Sequence, residues 1–268
     1  MTTWVFLRGL TREARHWGDF PQRFRAAFAG RLAPGDILTP DLPGNGVRCK
    51  QTSPARIEAM MEACRSELRQ LGKPPPYHLL ALSLGGMVAV AWAARYPEEC
   101  RALVLISTSL RPHNALFERL RPRAWPTLLR LLAAGPETRE RLILQLTSAE
   151  ADSRQAVLPD WCAWQRGCPV SRGNAVRQLI AAARFSAPKK PPVSMLLLAG
   201  ANDRLVDPRC SQRLAQAWDA ALRLHPSAGH DLPLDAGDWV AQAVQAWLSS
   251  QPAQAAVEAA SPTPPHDP

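Results

Sequence analysis

The stretch Tyr77-His-Leu-Leu-Ala-Leu-Ser-Leu-Gly-Gly86 carries an apolar strand straight into one serine and then into a helix of small residues. A tight strand-to-helix turn of this kind holds a serine hydroxyl in a strained backbone conformation above a sheet, where it can act as a nucleophile. The positions two before and two after the serine are pressed against neighbouring backbone, which accounts for Ala81 and Gly85 around Ser83. Taken alone, the same pentapeptide fits an ordinary helix start with Ser83 as its N-cap, so the partners of the hydroxyl must decide. Serine is a poor nucleophile at neutral pH and needs a base within hydrogen-bond reach, itself held by an acid.

The elements that would gather such groups are legible as a rhythm. Strand-like runs at Trp4 to Leu7, Asp36 to Leu38, Tyr77 to Leu82 and Ala102 to Ile106 alternate with helical patterns over Phe20 to Phe28, Pro54 to Leu71 and Gly85 to Tyr96. That alternation predicts an α/β chain with a mostly parallel sheet flanked by helices. It stops after Ser109 and resumes near Val193, and the interval is Leu- and Arg-rich, broken at Pro122, Pro126, Pro136, Pro159 and Pro169. This predicts a helical lid inserted over residues 110–190, with the core formed by residues 1–109 and 191–250. A strand at Met195 to Leu198, a helix from Pro208 to Trp218, a strand at Ala221 to His225 and a helix from Asp238 to Leu248 follow. The Ala- and Pro-rich residues 251–268 read as a disordered tail.

Catalytic groups of an open parallel sheet collect at the carboxyl ends of its strands. Of the six histidines, His78 and His225 fall inside strand patterns, His16 precedes the first helix, His113 opens the insertion and His266 is in the tail. His230 alone sits in a polar loop, Ser227-Ala-Gly-His-Asp231, directly after the last strand. For the acid, the loop after Leu198 offers Asp203 and Asp207; Asp207 precedes Pro208 and suits a helix N-cap, which leaves Asp203.

Four motifs in order then resemble the α/β-hydrolase fold over roughly residues 3–248: Asp41-Leu-Pro-Gly-Asn-Gly46, the elbow Leu82-Ser-Leu-Gly-Gly86, the acid loop Gly200-Ala-Asn-Asp-Arg-Leu-Val206, and Gly229-His230. The order Ser83, Asp203, His230 is similar to that fold's order of nucleophile, acid and base. The resemblance implies an oxyanion hole from the backbone N–H groups of Leu84 and Leu10, no cofactor and no metal, and cleavage of a carboxylic ester or thioester. An acyltransferase with the same three side chains, or a ligand-binding protein without catalysis, are the alternatives. The loop after the first strand usually carries His-Gly in such enzymes; here it is Arg8-Gly9, and Arg8 is read as pairing with a carboxylate behind the loop in preference to meeting an anionic substrate.

The chain has 268 residues, 46% of them hydrophobic, and a formal charge of +9. Residues 110–190 hold 14 Arg and Lys against 6 Asp and Glu, a surplus of 8 that nearly equals the whole excess. No nucleic-acid module accompanies this charge, so nucleic acid is not expected as a partner. Arg119, Arg121, Arg123 and Arg130, with Trp125, Trp161 and Trp164, read first as a solvated face with apolar anchors, and second as a surface for an acidic acyl carrier. No leader pattern and no membrane-length apolar run is evident, so cytoplasmic residence is expected. The six cysteines lack the spacing of a metal site or a disulfide framework and are expected to be packing thiols.

Overall fold

Alternate residues of each apolar run pack on opposite faces of one sheet, as the two-residue period of a strand requires. The structure, a computed structural model, describes residues 3–28, 31–152, 154–187 and 189–251. The elements in chain order are β1 (Thr3–Leu7), α1 (Phe20–Ala27), β2 (Ile37–Leu38), α2 (Ile57–Gln70), β3 (Tyr77–Leu82), α3 (Leu84–Arg95) and β4 (Cys100–Ile106). Then come α4 (Leu116–Arg119), α5 (Trp125–Ala133), α6 (Pro136–Thr147), α7 (Leu158–Gly167) and α8 (Arg172–Arg184), followed by β5 (Ser194–Gly200), α9 (Arg209–Trp218), β6 (Ala221–His225) and α10 (Leu232–Ser250). The strands lie in the order β2-β1-β3-β4-β5-β6, every neighbouring pair parallel. The expected α/β class with its parallel sheet is what the molecule has.

Val5, Leu7, Leu79, Ala81, Leu103, Leu105 and Leu197 pack against α2, α3 and α9 on one face. Trp4, Phe6, Leu80, Leu82, Val104, Ile106, Leu196 and Leu198 pack against α1 and α10 on the other. With both faces covered, β3 and β4 can be almost wholly apolar, and β3 is buried along its whole length. That burial makes the β3–Ser83–α3 turn a rigid mount.

Five α-helices, α4 to α8, fill the interval between β4 and β5 where the strand rhythm breaks off. Two boundaries differ from the sequence reading by three residues or more. The final helix begins at Leu232 and not at Asp238, because Pro233 is well tolerated in a first turn, while Ala236 (φ −143°, ψ 48°) interrupts the helix and hides its start. α2 begins at Ile57, three residues after Pro54. The tail lies outside the described residues from position 252 onward, and His266 with it. Among the described residues no helix is long and apolar enough to cross a membrane.

The cysteine expectation needs correction. Cys49 and Cys168 form a disulfide with Cα atoms 5.8 Å apart, at positions 119 apart in sequence. It joins the loop after β2 to the end of α7, a proximity created by the fold and invisible in sequence spacing. Cys64, Cys100, Cys162 and Cys210 are free and buried, as packing thiols should be. Burial pushes the Cys64 and Cys210 thiols up to about 12.

Candidate active site

Ser83 is the one residue between Tyr77 and Ala93 that is not buried. Its φ of 55° and ψ of −112° lie where side chains with a Cβ are rarely found, and the helix α3 starts immediately after it. The strained turn is held by neighbours: the Ser83 N–H donates to the Ile106 carbonyl at 2.9 Å, and a Cβ on Gly85 would sit 2.7 Å from the Arg8 carbonyl oxygen. Glycine at 85 is therefore a packing requirement, set by how closely the β1 end crosses the α3 start. Leu84, as the first residue of α3, has an N–H without an intrahelical acceptor.

Asp203 and His230, which come from the loops after β5 and β6, meet with Oδ2 and Nδ1 at 2.7 Å, both side chains almost wholly buried. The other carboxylate oxygen of Asp203 accepts the N–H groups of Leu205 and Val206, and Arg121 donates to its main-chain carbonyl at 2.7 Å. Asp207 is turned away, caps α9 through the Arg209 N–H, and is held below the ordinary carboxylate range chiefly by the Arg209 side chain. Of the two aspartates, Asp203 is the one that lies against the imidazole.

The His230 loop is fastened on several sides. The Ser107 hydroxyl donates to the His230 carbonyl at 2.9 Å, and the Gly229 N–H donates to Asp235 at 2.8 Å. Asp235 also receives the Ser148 hydroxyl and the Ala149 N–H from the end of α6, while the Asp231 N–H donates to Thr147. A Cβ on Gly229 would lie 2.6 Å from the Ala149 nitrogen, which is why glycine precedes the histidine.

Arg8 is buried and forms a forked pair with Asp231, at 2.6 and 3.2 Å, with its guanidinium 4.7 Å from the Trp17 ring. This is the carboxylate partnership expected for it, although the carboxylate belongs to the histidine loop. The motif Asp41–Gly46 lies beneath the same region: Asp41 accepts the N–H groups of Ala14 and Val47, and Asn45 donates to the Arg12 carbonyl. Burial pushes the Asp41 carboxyl up to about 6.

Ser83, His230 and Leu10 line one cavity of about 430 Å³, walled mainly by apolar side chains such as Leu120, Leu128, Ile143, Leu146 and Leu205. The largest share of that wall comes from α5 and α6, and most of the rest from α8 and the loops at the strand ends. Of the arginines singled out in sequence, Arg119 is buried and donates to the Ala182 carbonyl, and Arg121 serves the Asp203 loop, so neither is a free surface charge. Arg123 and Arg130 are exposed. Trp161 is buried under Arg12, and Trp164 lies beside Arg15. Sequence reasoning missed Asp231, Asp235, Ser107 and Glu140, whose partners are far away along the chain.

A family model described as the alpha/beta hydrolase family matches residues 4–243. The chain belongs to that family. This hydrolase is similar to two proteins named pimeloyl-[acyl-carrier protein] methyl ester esterase. The one from Chromobacterium violaceum is 28% identical over 204 residues, 71% of this chain and 74% of the relative. The one from Neisseria meningitidis is 28% identical over 205 residues, 74% of this chain and 77% of the relative. Among solved structures, a thermophilic esterase from Thermogutta terrifontis superposes with a TM-score of 0.70 at 22% identity, covering 93% of this chain and 90% of its own, which speaks for the shared fold.

Proposed function

We propose that this hydrolase cleaves a carboxylic ester or thioester through an acyl-enzyme on Ser83. The observation that carries the reading is the buried 2.7 Å contact between His230 and Asp203 in the loops around the cavity that exposes the strained Ser83. Ser83 Oγ attacks the acyl carbonyl while His230 takes its proton, and the imidazolium is stabilised by Asp203. The N–H groups of Leu84 and Leu10 receive the negative charge that develops on the carbonyl oxygen. Protonated His230 then releases the alcohol or thiol, and water, activated by the same imidazole, frees the acid.

The apolar cavity favours an apolar acyl group over a small polar acid, and the helices α4 to α8 act as its lid. The names of the relatives support an ester substrate carried on an acyl carrier, and exposed Arg123 and Arg130 on the lid suit a carrier that is acidic. Residence in the cytoplasm goes with that substrate.

The test is a fluorophosphonate probe and panels of esters and acyl thioesters of graded chain length, applied to the wild type and to Ser83→Ala. Labelling and turnover should both vanish in the variant, and turnover on carrier-linked substrates should fall steeply with salt while small neutral esters are unaffected. An active Ser83→Ala protein would refute the mechanism.

A further inference from the structure

Two buried ion pairs are placed symmetrically about Leu10 in the loop after β1. Arg8 lies two residues before Leu10 and is forked onto Asp231 of the histidine loop at 2.6 and 3.2 Å. Arg12 lies two residues after it and contacts Glu140 of α6 at 2.5 Å. Each guanidinium also rests on a tryptophan, Arg8 at 4.7 Å from the Trp17 ring and Arg12 at 4.0 Å from Trp161. All four charged side chains are buried, so each pair sits where solvent and salt weaken it little.

Between the two arginines the backbone is strained. Thr11 has φ 55°, an uncommon value that is unfavourable for a β-branched residue, and such strain persists only where surroundings impose it. Gln178 of α8 accepts the Thr11 N–H at 2.9 Å, and Asn45 holds the Arg12 carbonyl at 2.8 Å. The Leu10 N–H itself meets no acceptor among the described residues, although Leu10 lines the cavity. A donor kept free beside a nucleophile, on a loop fixed from both sides, is preorganised for a charge that appears only during reaction.

We propose that Arg8 and Arg12 are positioning residues, whose ion pairs with Asp231 and Glu140 fix the Leu10 N–H where the oxyanion forms. The inference deepens the serine-hydrolase reading and rests on it. Neither arginine touches the reacting atoms in this scheme. Arg8 ties the oxyanion loop to the loop of the base, and Arg12 ties it to the lid, so donor, base and lid share one frame.

Removing one partner would strand a buried charge and could prevent folding, so the informative variants neutralise both: Arg8→Gln with Asp231→Asn, and Arg12→Gln with Glu140→Gln. Arg8→Lys is the third, keeping the charge but not the planar fork. Thermal melting, kcat and KM on a short-chain p-nitrophenyl ester, and inhibition by an alkylboronic acid, whose adduct is a tetrahedral anion, are measured for each. Loss of an oxyanion donor lowers kcat by about 10² to 10³, so a misplaced one should lower it by roughly 10- to 100-fold. KM should stay within about twofold, and boronate binding should weaken by about the same factor as kcat. Arg8→Lys should fall between wild type and the paired variant.

Folded paired variants with wild-type kcat and boronate affinity would overturn the proposal. So would a rise in KM alone, which would make the arginines readers of an anionic substrate group. If the paired variants do not fold, Arg8→Lys decides: kcat and boronate affinity falling together at constant KM sustain the role, and both unchanged end it. A wild type that turns over no ester and takes no probe at Ser83 would defeat the hydrolase reading and this proposal together, whereas an active wild type with insensitive variants defeats only the proposal.

Discussion

At the scale of single residues, the two aspartates of the β5 loop offer the sharpest contrast. Asp203 meets the imidazole, whereas Asp207 caps a helix and pairs with Arg209. Asp203→Asn should lower kcat on the order of 10³- to 10⁴-fold with little change in melting temperature, while Asp207→Asn should leave kcat within about twofold. Steady-state kinetics on a simple ester checks both. His78 supplies a second residue-level expectation. Burial, with a contribution from Arg101, pushes its imidazole down to about 4, so the unfolded chain takes up this proton before the folded one does. Its contribution to stability is therefore complete above the ordinary histidine value of about 6.5 and is lost as pH falls toward 4. Asp41 works the opposite way: with its carboxyl raised to about 6, its contribution is greatest below the ordinary carboxylate value and is lost as pH rises through 6. The two nearly offset each other across that window. His78→Phe, which keeps a ring against Trp4, should gain about 2 kcal/mol relative to wild type between pH 7 and pH 4.5, as read by urea unfolding. Ser83, Asp203 and His230 could be picked out in sequence as candidates because each sits in a turn with its own local chemistry. Arg8 was legible only as a charged residue in need of a partner, since Asp231 lies 223 positions away.

At the scale of elements, the parallel sheet and its crossover helices follow from apolar runs of limited length separated by helical patterns. Their ends were harder to place, and the start of α10 shows why: a first turn containing Pro233, followed by non-helical Ala236, looks like a loop to any pattern of helical period. The fastening of α6 to the histidine loop was not legible at all. It depends on Asp235, which gathers the Ser148 hydroxyl and the N–H groups of Ala149 and Gly229 into one buried carboxylate. Asp235→Ala leaves three buried donors without an acceptor and should destabilise the protein by about 2–4 kcal/mol. Because Gly229 precedes the imidazole, kcat should drop further than the stability loss explains at a temperature where the variant is fully folded. Chemical denaturation and turnover measured side by side separate the two effects.

At the scale of the whole molecule, the disulfide between Cys49 and Cys168 is the feature the sequence concealed most completely. A cross-link of this kind typically contributes about 2–4 kcal/mol, and about 5 kcal/mol by the chain-entropy argument for so long a loop, so Cys49→Ser with Cys168→Ser should lower stability by about 2–5 kcal/mol, and reductant should affect the wild type but not the variant. Thiol trapping in freshly quenched cells will report whether the bond exists where the protein resides, since a reducing cytoplasm keeps such pairs as thiols. The bond has a mechanical consequence as well. The region after β2 is also tied to α8, where the side chains of Asn174 and Gln178 grip Ser53, Gln51 and Asn45. One flank of the α4–α8 layer is thereby riveted to the sheet's loops, so any breathing of this layer is expected to fall on the opposite flank, where α5 carries exposed Trp125 and Leu129 at the cavity wall.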